Sequence, residues 1–180
     1  MPLNHSSQYA NLTNEQFALI GKVVVEWSNI EFLMGVILSR LLCTPDFLGR
    51  VYSDEMSAFK MQSALLKAVE IHRQRYLEQV VSSEILDSII ELNTEIEAYR
   101  SLRNKFSHFC WMRTNDDEIW GTRLSGSIPS KKNDTRESKA ITVPELEEAH
   151  QKAYQLVEKL SEIIELISEI DEDNLILSLS

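Results

Sequence analysis

The fold class is decided by residues 13–42, TNEQFALIGKVVVEWSNIEFLMGVILSRLL. Apolar residues recur there every three or four positions, in the order Phe17, Ile20, Val24, Trp27, Met34, Leu38 and Leu41, which is the spacing of one helix face. Thr13 followed three positions later by Gln16 is a capping-box pattern, so it predicts where this helix begins. Further apolar residues widen the stripe, so we expect the helix to lie centrally or to pack against a second chain.

Four more segments have a helical spacing or helix-capping residues. A short helix is predicted from about Pro45 to Val51, and a longer one from Ser53 to about Leu77. A third is predicted from Ser82 or Ser83 to Cys110, and the last runs from Thr142 to about Ile170. Short connections between such helices favour antiparallel neighbours, which is the arrangement of a helical bundle.

The helical period disappears between the last two of these helices. Trp111–Arg113 and Ile119–Leu124 flank a polar turn and predict a short hairpin, and Ser125–Ala140 is expected to be a polar loop. We therefore predict an all-α fold, an antiparallel helical bundle of about four to five helices with a small loop or hairpin insert before the last helix. Residues 1–180 are expected to form one domain, with the insert at about 111–140 and a tail at about 171–180.

Composition excludes several other classes of protein. Apolar residues make up 43% of the 180 residues and charged residues 26%, which is typical of a globular chain rather than a disordered or fibrous one. The uncharged apolar stretch Phe32–Ser39 is too short to cross a bilayer, and the first fifteen residues lack the Lys or Arg of a signal peptide. Cys43 and Cys110 stand far apart, which fits a reducing compartment. We expect a cytoplasmic protein that does not insert into a membrane.

The charge is unevenly distributed along the chain. The formal net charge is −10, yet residues 100–140 carry nine basic and five acidic residues, half of all the Lys and Arg. Screening confines charge effects to about 8–10 Å in physiological salt, so a locally basic surface can bind phosphates on an acidic protein. The alternative is an exposed loop with ordinary solubilising charge. The sequence leaves both interpretations open.

Two charged residues interrupt apolar helix faces. Glu31 falls between Trp27 and Met34, and Arg103 falls between Tyr99 and Phe106. A charge at such a position is costly unless it is paired or faces a polar cleft. Glu31 and Arg103 are therefore expected either to form a buried ion pair or to mark a polar pocket.

Arg103 begins the segment Arg103-Asn104-Lys105-Phe106-Ser107-His108. Asn104 and His108 are four residues apart and lie on one face if the helix continues. Arg and His near a helix C-terminus commonly offset the helix dipole, and spacing alone does not separate that role from catalysis.

This segment resembles the signature of the HEPN superfamily, the higher eukaryotes and prokaryotes nucleotide-binding domain: Arg, then a polar residue, often Asn, and His after four to six intervening positions. The long first helix with Trp27-x-x-x-Glu31, the insert after the histidine and the final amphipathic helix are also similar to bacterial members. The resemblance implies a helical bundle that dimerises and places two motifs across one cleft.

The resemblance further implies metal-independent cleavage of RNA. His108 would move protons, Arg103 would bind the phosphate, and Asn104 would orient His108 or the phosphate. Glu31 is a supporting candidate. The expected contacts with the RNA backbone are Arg100, Lys105, Arg113 and Arg123. Trp111 and Trp120 would either stack on bases or pack the insert onto the bundle, and packing is the simpler expectation.

No motif for a cofactor or a metal ion occurs in the sequence. It has no Gly-rich phosphate loop, no HExxH spacing and no GxSxG elbow. His72 lies on an apolar helix face near Val69 and Tyr76, which favours a core histidine over a ligand. We expect neither cofactor nor metal.

The resulting hypothesis is an endoribonuclease of a toxin–antitoxin or phage-defence system, which acts as a homodimer on RNA and has an antitoxin protein as a further partner. The competing hypothesis is a non-catalytic helical module of the same fold that binds a protein or a nucleotide. A third is an unrelated helical protein in which the motif is accidental.

Overall fold

The computed structural model of the chain describes residues 10–124 and 136–171. These residues form five helices and three strands. In chain order they are α1 (Asn14–Leu41), α2 (Asp46–Ser53), α3 (Ala58–Gln74), α4 (Ser83–His108), β1 (Cys110–Arg113), β2 (Glu118–Leu124), β3 (Arg136–Thr142) and α5 (Val143–Leu166). The chain is mainly helical, but it is not all-α as predicted, because its insert adds a small antiparallel sheet.

The described residues pack as two compact units. Those within Met1–Val25 and Ser101–Lys152 form one unit, here called the sheet unit, and those within Glu26–Arg100 and Ala153–Ser180 form the other, the helical unit. Helices α1, α4 and α5 contribute residues to both units. The single domain expected over residues 1–180 stays a prediction.

The capping box predicted for α1 is present. The backbone N–H of Thr13 donates to Gln16 Oε1 over 3.0 Å, and the N–H of Gln16 donates to Thr13 Oγ1 over 3.1 Å. Helix α5 begins in the same way, because Thr142 and Glu145 exchange equivalent bonds. These bonds from the backbone and hydroxyl of Thr142 lower the pKa of the Glu145 carboxyl. Both caps satisfy N–H groups that have no partner within the helix.

The face of α1 that is buried near its N-terminus differs from the predicted one. Phe17 is 41% exposed, whereas Leu19 and Val23 are buried. The first turns of α1 carry two neighbouring apolar stripes, and spacing alone does not tell which of them meets the core. Tertiary packing selects the stripe that continues from Gln16.

Helices α3 and α5 are shorter than predicted. Helix α3 begins at Ala58 rather than near Ser53, because α2 extends through Ser53 and Ser57 supplies the cap by accepting from the N–H of Lys60. Helix α5 ends at Leu166 rather than near Ile170. The guanidinium of Arg40 donates there to the carbonyls of Ile164 and Ile167, over 2.6 and 2.8 Å. A side-chain donor at free carbonyls is a common way to end a helix.

Strand β3 corrects the loop predicted over 125–140. The hairpin of β1 and β2 forms as expected, but residues from Arg136 onward pair with β2, and the sheet has the order β1-β2-β3. Ile119 lies opposite Ile141, and both are buried. The polar composition of β3 gave no strand signal, since among residues 137–142 of this strand only Ile141 is buried. Residues 125–135 lie outside the described part of the chain.

Trp111 is the centre of the sheet unit. Its ring stacks against those of Phe106 and Phe109, with centroid distances of 5.7 and 5.6 Å, and its indole N–H donates to the Phe106 carbonyl over 3.3 Å. Gly121 lies opposite Trp111 in the neighbouring strand. This confirms that Trp111 packs the insert and is not free to stack on a base.

The helical unit has an aromatic and hydrogen-bonded core. The rings of Trp27 and Tyr99 stack with their centroids 6.1 Å apart. Burial, together with the carboxylate of Glu26, raises the pKa of the Tyr99 phenol. His72 is buried with its Nε2 2.8 Å from the Leu41 carbonyl, so the expected core histidine is confirmed.

Gly121→Ala is expected to destabilise the sheet unit. An added Cβ would lie 2.6 Å from Cζ3 of Trp111, so the ring or the strand must move. Overpacking of this kind costs about 1–3 kcal/mol. Urea unfolding followed by tryptophan fluorescence measures the change. Gly21→Ala is the control, since its added Cβ meets nothing within 4 Å. Equal or higher stability of Gly121→Ala would contradict this packing.

Candidate functional site

The motif singled out in the sequence occupies the last two turns of α4. This helix ends at His108, and β1 begins at Cys110. The N–H of Phe109 still bonds to the carbonyl of Lys105, so the chain stays helical up to the histidine. Asn104 and His108 therefore lie one turn apart on one face, as the spacing predicted.

The three motif residues differ in their exposure to solvent. Arg103 and Asn104 are half-buried, and His108 is exposed. An Nη1 atom of Arg103 donates to Oδ1 of Asn104 over 3.4 Å, which links the first two motif residues. The segment thus combines a partly buried guanidinium with a histidine ring that a ligand can reach. A planar guanidinium suits a phosphate, and an accessible imidazole suits proton transfer.

Lys105 and Arg123 share one carboxylate. Glu137 of β3 lies 3.1 Å from Nζ of Lys105 and 3.5 Å from Nε of Arg123. The register of β2 and β3 accounts for this, because Arg123 and Glu137 are directly opposed. Arg123 also holds its guanidinium carbon 5.8 Å from the centre of the Phe109 ring. Glu137 is a site residue that sequence analysis missed, since its partners come from α4 and β2.

The other two predicted RNA contacts are paired as well. Arg113 lies 3.3 Å from Asp116, and Arg100 forms an ion pair with Glu97. Arg100 belongs to the helical unit, where its guanidinium carbon lies 5.3 Å from the centre of the Phe59 ring. Such exposed pairs contribute only about 0–1 kcal/mol each, so a phosphate can compete with these carboxylates.

Glu31 lies in the helical unit, whereas the motif residues Arg103, Asn104 and His108 lie in the sheet unit. It is half-buried, and it lines a cavity of about 290 Å³. The other lining residues are Ser28, Phe32, Arg50, Ser53, Asp54, Met56 and Met61. The supporting role expected for Glu31 stays a prediction.

The two tryptophans of the insert differ in their surroundings. Trp111 is buried on the inner face of the sheet. Trp120 lies on the opposite face of the sheet and is half-buried. It pairs with Met112 of β1 on one side and with Ala140 of β3 on the other. Of the two, Trp120 is the ring that a ligand can approach.

Gln16 holds the turn between β1 and β2. It is fully buried, and its amide donates to the carbonyls of Asn115 and Asp116, each over 3.0 Å. Sequence analysis identified Gln16 only as part of the α1 cap. Its second role links the start of α1 to a turn about 100 residues later, and nothing in the local pattern indicates that link.

Comparison of the chain with protein-family models, with curated proteins and with solved structures finds no match. Within residues 10–124 and 136–171, no three His, Cys, Asp or Glu side chains are grouped in a way that would hold a metal ion. Among the helices described, none combines the length and apolarity needed to cross a bilayer.

Gln16→Met is expected to destabilise the sheet unit by about 1–3 kcal/mol, because two turn carbonyls and the α1 cap lose their partner while the volume is nearly kept. Equilibrium denaturation measures the loss. Lys22→Met, at an exposed position of the same helix, is the control and should change stability by less than about 0.5 kcal/mol. Equal effects of both variants would contradict the role given to Gln16.

Proposed function

We propose that this protein is a metal-independent endoribonuclease of the HEPN type that acts as a homodimer. The observation that carries the proposal is the end of α4, where Arg103 and Asn104 are joined by a hydrogen bond and an exposed His108 follows one turn later. The proposal includes the antiparallel helical bundle of that superfamily. The mainly helical chain, with its insert directly after the histidine, supports this part.

The reaction is an attack of the ribose 2′-hydroxyl on the adjacent phosphorus. A base removes the 2′-OH proton, a bond forms from the 2′-oxygen to phosphorus, and the bond to the 5′-oxygen breaks. An acid protonates that 5′-oxygen, so the products are a 2′,3′-cyclic phosphate and a 5′-hydroxyl. Both proton transfers suit a histidine, because its ring changes charge near neutral pH.

Arg103 stabilises the charge that develops on the phosphate. Its guanidinium presents paired N–H donors that match two phosphate oxygens. Asn104 accepts a hydrogen bond from Arg103 and so orients this fork. A half-buried position suits this task, since the field of a charge is screened less there than in bulk water.

The homodimer divides the two proton transfers between two histidines. One His108 acts as the base and the His108 of the second copy acts as the acid. A single copy of the motif has only one histidine, and the reaction needs a base and an acid at the same phosphate. The dimer thus completes the site in this proposal.

The RNA backbone binds to cations that are paired with carboxylates in the free protein. These are Arg100, Lys105, Arg113 and Arg123. Phosphate oxygens replace the carboxylates of Glu137 and Asp116 at Lys105, Arg123 and Arg113. Exchange of a carboxylate for a phosphate changes the free energy only slightly, so RNA binding is expected to be weak and sensitive to salt. Arg100 is a further candidate contact.

The biological setting of the proposal is a toxin–antitoxin or phage-defence system in the cytoplasm, with an antitoxin protein as partner. It follows from the HEPN resemblance. The acidic segments outside residues 100–140 are candidate contacts for a basic partner protein.

One observation favours a second candidate function, a non-catalytic module of the same fold that binds a protein or a nucleotide. The cations expected to bind RNA are each paired with a carboxylate, and the helical unit exposes an apolar groove. In this alternative, Arg103 and His108 contribute to stability or to binding rather than to chemistry.

His108→Ala is expected to lower the rate of RNA cleavage at least about 100-fold, since general acid–base catalysis contributes about 10²–10⁴. The assay uses a labelled structured RNA in EDTA and identifies 2′,3′-cyclic phosphate ends. His150→Ala is the control, because this half-buried histidine lies on α5, away from the motif in sequence. Absence of cleavage by the unmodified protein, or equal cleavage by His108→Ala, would favour the non-catalytic module.

Glu137→Gln is expected to strengthen RNA binding, because it frees Lys105 and Arg123 from their shared carboxylate. Binding is measured in the His108→Ala background so that the RNA stays intact. The slope of log K against log salt should steepen by about 1, because one competing carboxylate charge is removed. Glu147→Gln, at an exposed position of α5, removes the same charge and is the control. Equal gains in both variants would indicate a general charge effect and contradict the role of Glu137.

A further inference from the structure

Helix α2 is amphipathic in the reverse sense. A surface helix normally turns its apolar residues toward the core and its polar residues toward solvent. In α2 the buried residue is Ser53, while Phe47 and Tyr52 are 73% and 75% exposed. Leu48 and Val51 are also exposed. At 100° per residue these four apolar side chains occupy an arc of about 140°.

The inner side of α2 explains this orientation. Gly49 faces Ser39 of α1 so closely that a Cβ on Gly49 would clash with that serine. Gly49 and Ser53 lie roughly opposite the apolar arc on the helix. Small residues on the inner side bring the two helices together, and the large apolar ones are left on the outer side.

A groove lies beside this apolar arc. It has a volume of about 610 Å³, and its walls are mainly apolar. Phe32 and Val36 of α1, Phe47 and Val51 of α2, and Ile164 of α5 contribute to it. All of these residues belong to the helical unit.

The cations around the groove are already paired with carboxylates. Arg40 lies 3.0 Å from Asp46 and 3.5 Å from Glu169, and Arg50 forms an ion pair with Asp54. The guanidinium of Arg50 also lies 4.2 Å from the centre of the Phe32 ring. A partner that covers this surface therefore needs no carboxylates of its own to neutralise these cations, and a mainly apolar surface fits the groove.

We propose that the partner is a second copy of this chain, bound through the apolar face of α2 and the adjoining groove. Protruding rings and a groove on the same surface are what a two-fold interface requires, because each copy must offer both halves of the contact. The inference rests on the homodimer of the proposed function and names the surface that forms it.

The exposed rings supply a substantial part of the area that a dimer needs. With about 200 Å² for a whole aromatic side chain, Phe32, Phe47 and Tyr52 together expose about 400 Å². A stable interface buries about 800 Å² on each partner, so three rings supply about half of it. The largest apolar patch on an ordinary monomer is about 300–600 Å², and the aliphatic residues of α2 extend this one further.

The test measures the molar mass of the full chain in solution by sedimentation equilibrium over a concentration series. The chain has a mass of 20.7 kDa, so the unmodified protein is expected at twice that value. Val51→Glu is expected to raise the dissociation constant of the dimer at least about tenfold, since it places a charge in the centre of the contact.

Val80→Glu is the matched control, because Val80 and Val51 are both valines with 58% exposure and both lie in the helical unit. It should dimerise like the unmodified protein. Phe47→Glu is a second variant with the same expected loss, and thermal unfolding of each variant verifies that the fold is kept.

A monomer at about 100 µM would overturn the proposal and leave the α2 face to a different protein. A dimer that Val51→Glu and Phe47→Glu leave intact, or one that Val80→Glu weakens equally, would place the interface elsewhere and also overturn it. Molar mass does not depend on catalysis. Loss of the dimer interface and loss of the ribonuclease function are therefore separate outcomes.

Discussion

The burial of Trp111 against Phe106 and Phe109 is the contact on which the candidate site depends. These three rings join the last turn of α4 to the first strand of the sheet, and the bond from the indole to the Phe106 carbonyl fixes their angle. Because the rings cannot leave the core without large loss of buried apolar area, α4 has to end near His108. The histidine is thereby held at the boundary between helix and sheet and remains open to solvent.

The electrostatics of the sheet unit follow from the same sheet. Strand β3 brings Glu137 to Lys105 and Arg123, and the turn after β1 brings Asp116 to Arg113. The basic segment of the sequence is therefore not an unpaired cationic surface in its described part. A polyanion has to displace carboxylates to bind there, which sets a low affinity and makes the exchange dependent on salt. Arg103 also donates to the side-chain amide oxygen of Asn104.

The helical unit shows a second consequence of residue size. Gly49 and Ser39 allow α2 to approach α1 closely, and this approach directs Phe47 and Tyr52 to the outside. Apolar burial would ordinarily reverse the orientation of such a helix. Arg40 and Arg50 are paired there with the carboxylates of Asp46, Glu169 and Asp54. The exposed apolar side chains of α2 are the basis of the dimer interface proposed above.

The sequence by itself determined the helices, the cap of α1, the β1–β2 hairpin, the core position of His72 and the place of the motif at the end of α4. Each of these depends on residues that are close together in the chain, where spacing and capping act directly. The tertiary structure alone decided the pairing of β3, the buried face at the start of α1, the second role of Gln16 and the partners of Lys105 and Arg123. These depend on contacts between distant segments, such as the 99 positions that separate Gln16 from Asn115. Local patterns carry no information about such contacts, because the energy that selects them arises only when the segments are packed together.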